Sequence, residues 1–172
     1  MKGIKGTTDE GGVRSPLIMN WKGKIPQGKI IKKITSVIDL LPTLKDLAGI
    51  KVKSKKPLDG ISLKPLILNK TVNWEDRIIY NYWKGRFSVR SQNYRLDKDN
   101  KLFDMLNDPN QTTDISEKQT EVLEKLFQAK KQWKKEVLVE LPKKDIRPFF
   151  IGHHSVQTTQ IPARDGKAHG AI

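Results

Sequence analysis

Lys5 is the side chain in this sequence best placed to act on an anion. It sits in Gly3-Ile4-Lys5-Gly6, and Gly11 and Gly12 follow closely, so four glycines surround one ammonium. Glycine lets a backbone approach a ligand, and a lysine ammonium is a compact cation able to neutralise a sulfate or phosphate oxygen. A plain glycine turn feeding a strand has the same composition, and residue types leave both readings open. The segment lacks the Gly-Lys-Ser/Thr ending of a nucleotide-phosphate loop, and the chain has no Gly-x-Ser-x-Gly elbow for a serine hydrolase. The absence of cysteine excludes a thiolate nucleophile, a cysteine zinc cluster and disulfides. No two of His153, His154 and His169 have the i, i+4 spacing around a glutamate that a helical metal motif uses. They read as surface or substrate-facing residues.

Lys5 needs a rigid edge to stand on. "RSPLIMNW", Arg14 to Trp21, reads as a short buried strand, because its centre is apolar without alternation and Pro16 sits near the start. In "TSVIDLLPTLKDLAGI" Asp39 reads as an N-cap and Pro42 falls in the first turn. Leu40, Leu41, Leu44, Leu47 and Ala48 then form the packing face, and Gly49 stops the helix. Lys56 to Ile67, with two prolines and an Asp-Gly pair, reads as irregular connection.

From Arg77 the character changes. "RIIYNYW", "RFSVRS", "YRLD" and "KLFDM" are aromatic and β-branched runs separated by Lys84-Gly85, Gln92-Asn93 and Asp99-Asn100, the pattern of an antiparallel meander of about four strands. Ser116 with Gln119 suggests a capping box for a helix to about Val137, with Val122, Leu123, Leu126, Phe127, Ala129 and Trp133 near helical spacing. Such a helix covers one face of the sheet, giving an α+β unit. From Leu141 the prolines at 142, 148 and 162 leave an extended segment.

The formal charge is +14, which raises the question of nucleic acid. Lysine outnumbers arginine 26 to 7, whereas base reading and bidentate phosphate clamps favour arginine, and no nucleic-acid-binding motif occurs. The densest run, Lys51 to Lys56, reads as a solvated loop. No stretch approaches the roughly 20 apolar residues of a membrane span.

The segment "KGTTDEGGVRSPLIMNWKGKIPQG" resembles the part of the sulfatase family in which a lysine precedes an acidic-Gly-Gly turn and a Pro-led strand. "IDLLPTLKDLAGI" with "PLDGISLKPLI", then "LFDMLNDPNQTTDIS", and finally "IPARDGKAHGAI" resemble further family blocks in the same order. The resemblance implies an alkaline-phosphatase-like α/β fold, present as a fragment, with a C-terminal α+β subdomain of about four strands and a helix. It divides the chain into 1–72, the end of a catalytic domain, 73–140, the subdomain, and 141–172, an extended and apparently truncated segment. The implied activity is sulfuric ester hydrolysis by a hydrated formylglycine and a divalent cation, usually calcium, with Lys5 binding the sulfate. His153, His154 and Arg164 are candidate substrate contacts. The implied partner is a sulfated small molecule or glycan, and the implied location is periplasmic or secreted.

The sequence also departs from the family. It has no Cys/Ser-x-Pro-Ser-Arg motif from which formylglycine matures, and none of the family's aspartate-rich metal motifs. Asp9 stands where many members carry an aromatic residue. Two alternatives remain, a non-catalytic polyanion-binding module and another alkaline-phosphatase-like phosphoesterase. If the strand at Leu17 to Met19 lacks its neighbours, its amides are expected to exchange quickly in the purified chain. Strong protection at these three residues would contradict that expectation.

Overall fold

The computed structural model describes residues 1–51, 56–68, 74–140, 152 and 154–158. Among the described residues one four-stranded antiparallel sheet runs in the order β1 to β4, with β1 at Ile79–Trp83, β2 at Arg86–Arg90, β3 at Tyr94–Leu96 and β4 at Leu102–Asp104. Its register sets Tyr82 opposite Phe87, Val89 opposite Leu96, and Leu96 opposite Leu102. Lys84 and Gly85 connect β1 to β2 at φ of 45° and 80°, the paired positive values that a two-residue hairpin turn requires. Between β3 and β4, Asp97 Oδ1 accepts the amides of Asp99 and Lys101 at 2.8 and 3.0 Å. The meander read from residue types is therefore the meander that forms.

Alternation along the strands gives the sheet two unlike faces. Phe87, Val89, Leu96 and Leu102 point to one side and bury against Leu126 of the long helix Thr120–Val137. Trp133 of that helix closes the face, its ring centroid 4.9 Å from Phe87 and 5.7 Å from Tyr80. The other face presents Arg86, Ser88, Arg90 and Arg95, and the segment 1–14 lies against it through hydrogen bonds from Arg86, Ser88 and Arg95. A helix thus covers one side of the sheet and an N-terminal strap covers the other.

Three short helices precede the sheet, so in chain order α1 is Glu10–Val13, α2 is Leu40–Leu47, α3 is Lys64–Ile67 and the long helix is α4. The acidic-Gly-Gly turn has become the single turn of α1, and one turn of helix, α3, interrupts the connection expected to be irregular. The strand expected at Arg14–Trp21 does not form. Residues 15–20 adopt no regular structure, Leu17 is 48% exposed and Ile18 88% exposed. The reason is edge pairing: no described backbone pairs with residues 15–20, and an apolar run without partner strands has nothing to make it a sheet.

The packing face of α2 is also different from the leucine stripe. Leu41 and Leu44 are exposed, and the buried side is polar, made of Asp39 and Thr43. Thr43 Oγ1 donates to Asp39 O at 2.6 Å and accepts from Leu63 N at 2.9 Å. Asp39 ends a 3-10 turn, Val37–Asp39, and stands at the N-cap position of α2 as expected, without a side-chain cap bond to that helix. Its carboxylate reaches back to the Ser36 amide at 2.8 Å and accepts from Ile61 N and, through both oxygens, from Arg77 Nη1. These bonds outrank leucine burial because a buried carboxylate without donors is costly. The stop at Gly49 forms as expected, with φ 67° and the amides of Gly49 and Ile50 bonded to Asp46 O and Lys45 O. Leu44 and Leu47 of α2 instead line an apolar cleft of about 450 Å³ shared with Met19, Trp21 and Ile25.

The capping box expected before α4 is likewise absent. Gln119 is the N-cap without a side-chain bond, while Ser116 donates to Asp114 and accepts the Leu102 amide at 3.0 Å. Ser116 therefore ties the loop to β4 and leaves the helix start to tertiary packing. The Lys51 to Lys56 run lies outside the described residues at 52–55, and so does the extended segment from Leu141 apart from 152 and 154–158.

Leu126 is 1% exposed at the centre of the core. Leu126→Ala is expected to lower the unfolding free energy by about 3 kcal/mol, through lost transfer energy and the cavity left behind. Urea unfolding followed by tryptophan fluorescence measures it.

Candidate functional site

The site is built from the tip of the strap. Lys5 is exposed in a turn whose following residue, Gly6, takes φ 86°, a conformation that a side chain would strain. Inside the turn Thr7 N and Thr7 Oγ1 both donate to Ile4 O, at 3.0 and 2.9 Å, and Ile4 N donates to Thr7 Oγ1 at 3.2 Å. The turn then folds over Gly12, where a Cβ would stand 2.5 Å from the Thr7 carbonyl oxygen. Glycine is needed at position 12 for close backbone approach, and this gives the glycine-rich composition a structural meaning in addition to any ligand.

The sheet holds the turn from below. Arg86 Nη1 donates to Gly6 O at 2.8 Å, while Ser88 Oγ and Arg95 Nη1 both donate to Thr8 O, at 2.6 and 2.8 Å. Glu10, 7% exposed, is the strap's charged anchor. Its Oε2 lies 2.6 Å from Arg95 Nη2 and 3.4 Å from Arg90 Nε, and its Oε1 lies 3.8 Å from Arg14 Nη1. Burial alone would raise the Glu10 pKa, but Arg95, then Arg90 and Arg14, outweigh it and hold the carboxyl below its ordinary 4.5. Burial acts in the opposite sense on the cations and lowers Arg90 and Arg95 from the ordinary guanidinium range, with Glu10 opposing the change.

A third element comes from the Asn-Asp-Pro loop. Asp108 accepts the amides of Thr112 and Thr113 at 2.7 and 2.8 Å, and Asp104 accepts those of Leu106 and Asn107 at 2.9 and 3.1 Å. Hydrogen bonding, led by the Thr113 amide for Asp108 and the Asn107 side chain for Asp104, lowers both carboxyls from 3.8. The loop so fixed delivers Gln111, buried and at φ 55°, to the strap, where its Oε1 accepts Glu10 N at 3.0 Å. Lys2 completes the seat, 3.6 Å from Asp97 and with its ammonium 5.1 Å from the centre of the Phe103 ring.

The structure therefore presents Lys5 at the exposed end of a strap that the sheet clamps over Gly6, Thr8 and Glu10. Among the other residues read as site candidates, His154 is exposed in a turn, and His153 and Arg164 lie outside the described residues. The clamp itself was missed. A signal existed in the alternation, because Arg86, Arg90 and Arg95, three of the seven arginines, fall on one face of the sheet. Among the described residues no group of three His, Cys, Asp or Glu side chains is placed to hold a metal ion, and no helix is long and apolar enough to cross a membrane. Asp104, Asp108 and Asp114 turn their oxygens to their own loop's amides.

Comparison with known proteins defines the class. Residues 5–137 match the family described as N-sulphoglucosamine sulphohydrolase, C-terminal, and the chain belongs to that family. Canine N-acetylgalactosamine-6-sulfatase is 40% identical over 81 residues, 47% of this chain and 15% of that protein. Bovine arylsulfatase A is 38% identical over 96 residues, 53% of this chain and 18% of that protein. The solved structure of Ps i-CgsB in complex with k-i-k-neocarrahexaose superposes with a TM-score of 0.66 at 30% identity, covering 77% of this chain and 31% of that one. The chain thus spans less than a fifth of the length of these two curated sulfatases.

Glu10→Gln removes the anion from a buried cluster and leaves Arg95 and Arg90 facing each other, which is expected to cost about 3 kcal/mol. Because the folded pKa of Glu10 lies below 4.5, its contribution is complete above that pH and is lost as pH falls through the lowered value. The stability difference between wild type and Glu10→Gln should therefore be constant near neutrality and shrink below pH 4.5. Denaturant titrations of both proteins across that range provide the check.

Proposed function

We propose that this chain is the C-terminal part of a sulfuric ester hydrolase and that Lys5 binds the sulfate of the ester. The observation that carries the reading is the strap, which holds an exposed ammonium on a turn already bonded to the sheet through Gly6 and Thr8. Its family membership and its sulfatase relatives supply the reaction class.

The chemistry this chain would contribute is electrostatic. When the S–O bond of a sulfate ester breaks, negative charge builds on the departing oxygen and redistributes over the sulfuryl oxygens. An ammonium carried beside them on a turn anchored in advance stabilises that charge. Arg86 and Arg95 spend donors on strap carbonyls, so they position the turn and leave Lys5 as the group that meets the ligand. The formylglycine motif is absent from the sequence, and the described residues offer no donor set that fits calcium, so neither enters the steps assigned to this chain.

In the enzyme that joins this chain to its nucleophile and metal ligands, Lys5→Ala is expected to lower kcat/KM for an aryl sulfate about 100-fold or more, with the melting temperature unchanged. An unaltered kcat/KM would remove the assignment. The chain by itself is expected not to hydrolyse the same aryl sulfate. The charge of +14 supports a second reading, a polyanion-binding surface. Heparin binding that falls steeply with salt and is indifferent to Lys5→Ala would favour it.

A further inference from the structure

The tip of the β1–β2 hairpin stands beside the Lys5 turn and has no role in holding the core. Trp133 is enclosed by Tyr80, Tyr82 and Phe87. Trp83, by contrast, is 53% exposed at the last position of β1. Its register partner is Arg86, and both reach the same glycine: Arg86 Nη1 donates to Gly6 O at 2.8 Å, and a methyl group at Gly6 would stand 3.9 Å from the indole Nε1. Lys84 Nζ lies 5.7 Å from the centre of the Trp83 ring, a cation over an aromatic face. An exposed indole, the Lys84 ammonium and the Lys5 turn therefore share one rim.

We propose that this rim is a saccharide subsite, in which the Trp83 indole stacks on the apolar face of a sugar ring whose sulfate is directed toward Lys5. The proposal rests on Lys5 as the sulfate-binding residue and names the class of leaving group, a carbohydrate. An indole presents an apolar face and a polar edge, which suits a ring whose C–H groups and hydroxyls point in different directions. Single-stranded nucleic acid is matched less well, because its readers set a series of aromatic platforms along a charged groove, and this rim has one. The indole edge lies against the Lys5 turn at Gly6, so the sulfated sugar itself is the unit assigned to the subsite.

The test is a nuclear magnetic resonance titration of the 172-residue chain with a carrageenan-derived sulfated oligosaccharide and with its desulfated counterpart. The Trp83 indole Nε1–H and the Gly6 amide are expected to shift on one saturation curve with the sulfated ligand. Trp83→Ala should weaken binding about fivefold or more, Trp83→Phe should recover most of it, and the dispersion of the core signals should stay unchanged in both. A Gly6 shift without any Trp83 shift would overturn the subsite while leaving Lys5 as the sulfate ligand. A Trp83 shift that is the same for the desulfated ligand and in Lys5→Ala would retain the saccharide subsite and remove Lys5 as the sulfate ligand. Absence of any shift at Trp83, or tighter engagement of Trp83 by an oligothymidylate than by the oligosaccharide, overturns the proposal.

Discussion

The contact between Glu10 and Arg95 is the one on which the arrangement depends. Arg95 is 2% exposed, and a guanidinium taken that far from water needs a carboxylate partner. Glu10 provides it from a segment 85 positions away in sequence. The same guanidinium also donates to Thr8 O and Ser88 Oγ, so one side chain joins strap, β2 and β3. Without Glu10, Arg95 would lose the one carboxylate hydrogen-bonded to it and keep only the more distant charges of Asp9 and Asp97. With it, the polar face of the sheet becomes the seat of a turn whose exposed lysine faces outward.

The two faces of the sheet follow different physics. The side under α4 is fastened by burial of Phe87, Val89, Leu96, Leu102 and Leu126, which is tolerant of angle and distance. The side under the strap is fastened by directional bonds to three named atoms, Gly6 O, Thr8 O and Glu10 Oε2. A site that must place a charge accurately gains from the second kind of attachment, because hydrogen bonds weaken steeply when bent. Both faces contribute to stability, and the strap side adds precision of placement.

This division also governs how much of the molecule was legible in its sequence. Burial leaves a periodic trace, so the four strands and α4 could be read from Tyr80, Phe87, Val89, Leu96, Leu126 and Trp133. Polar attachment leaves none. Arg86, Ser88 and Arg90 alternate with apolar residues as a solvated strand face would, and nothing local to Glu10 marks it as buried. The same blindness explains α2, where Asp39 and Thr43 took the inner side and the leucines did not. "RSPLIMNW" fails for the converse reason, since an apolar run predicts a strand only when another backbone is present to pair with it. Lys5 stands out as a candidate through its glycines and its family pattern, while the clamp that holds its turn depends on residues far downstream.

That separation in sequence has a consequence for the order in which the molecule comes into being. The Lys5 turn is synthesised before any of its supports: Arg86 follows Gly6 by 80 residues, Arg95 follows Glu10 by 85, and Gln111 follows Glu10 by 101. Contacts that close such long loops form late, after the local hairpins and helix that have little loop entropy to overcome. The lysine thus leaves the ribosome well before the residues that support it, and its turn waits on completion of the sheet that follows it.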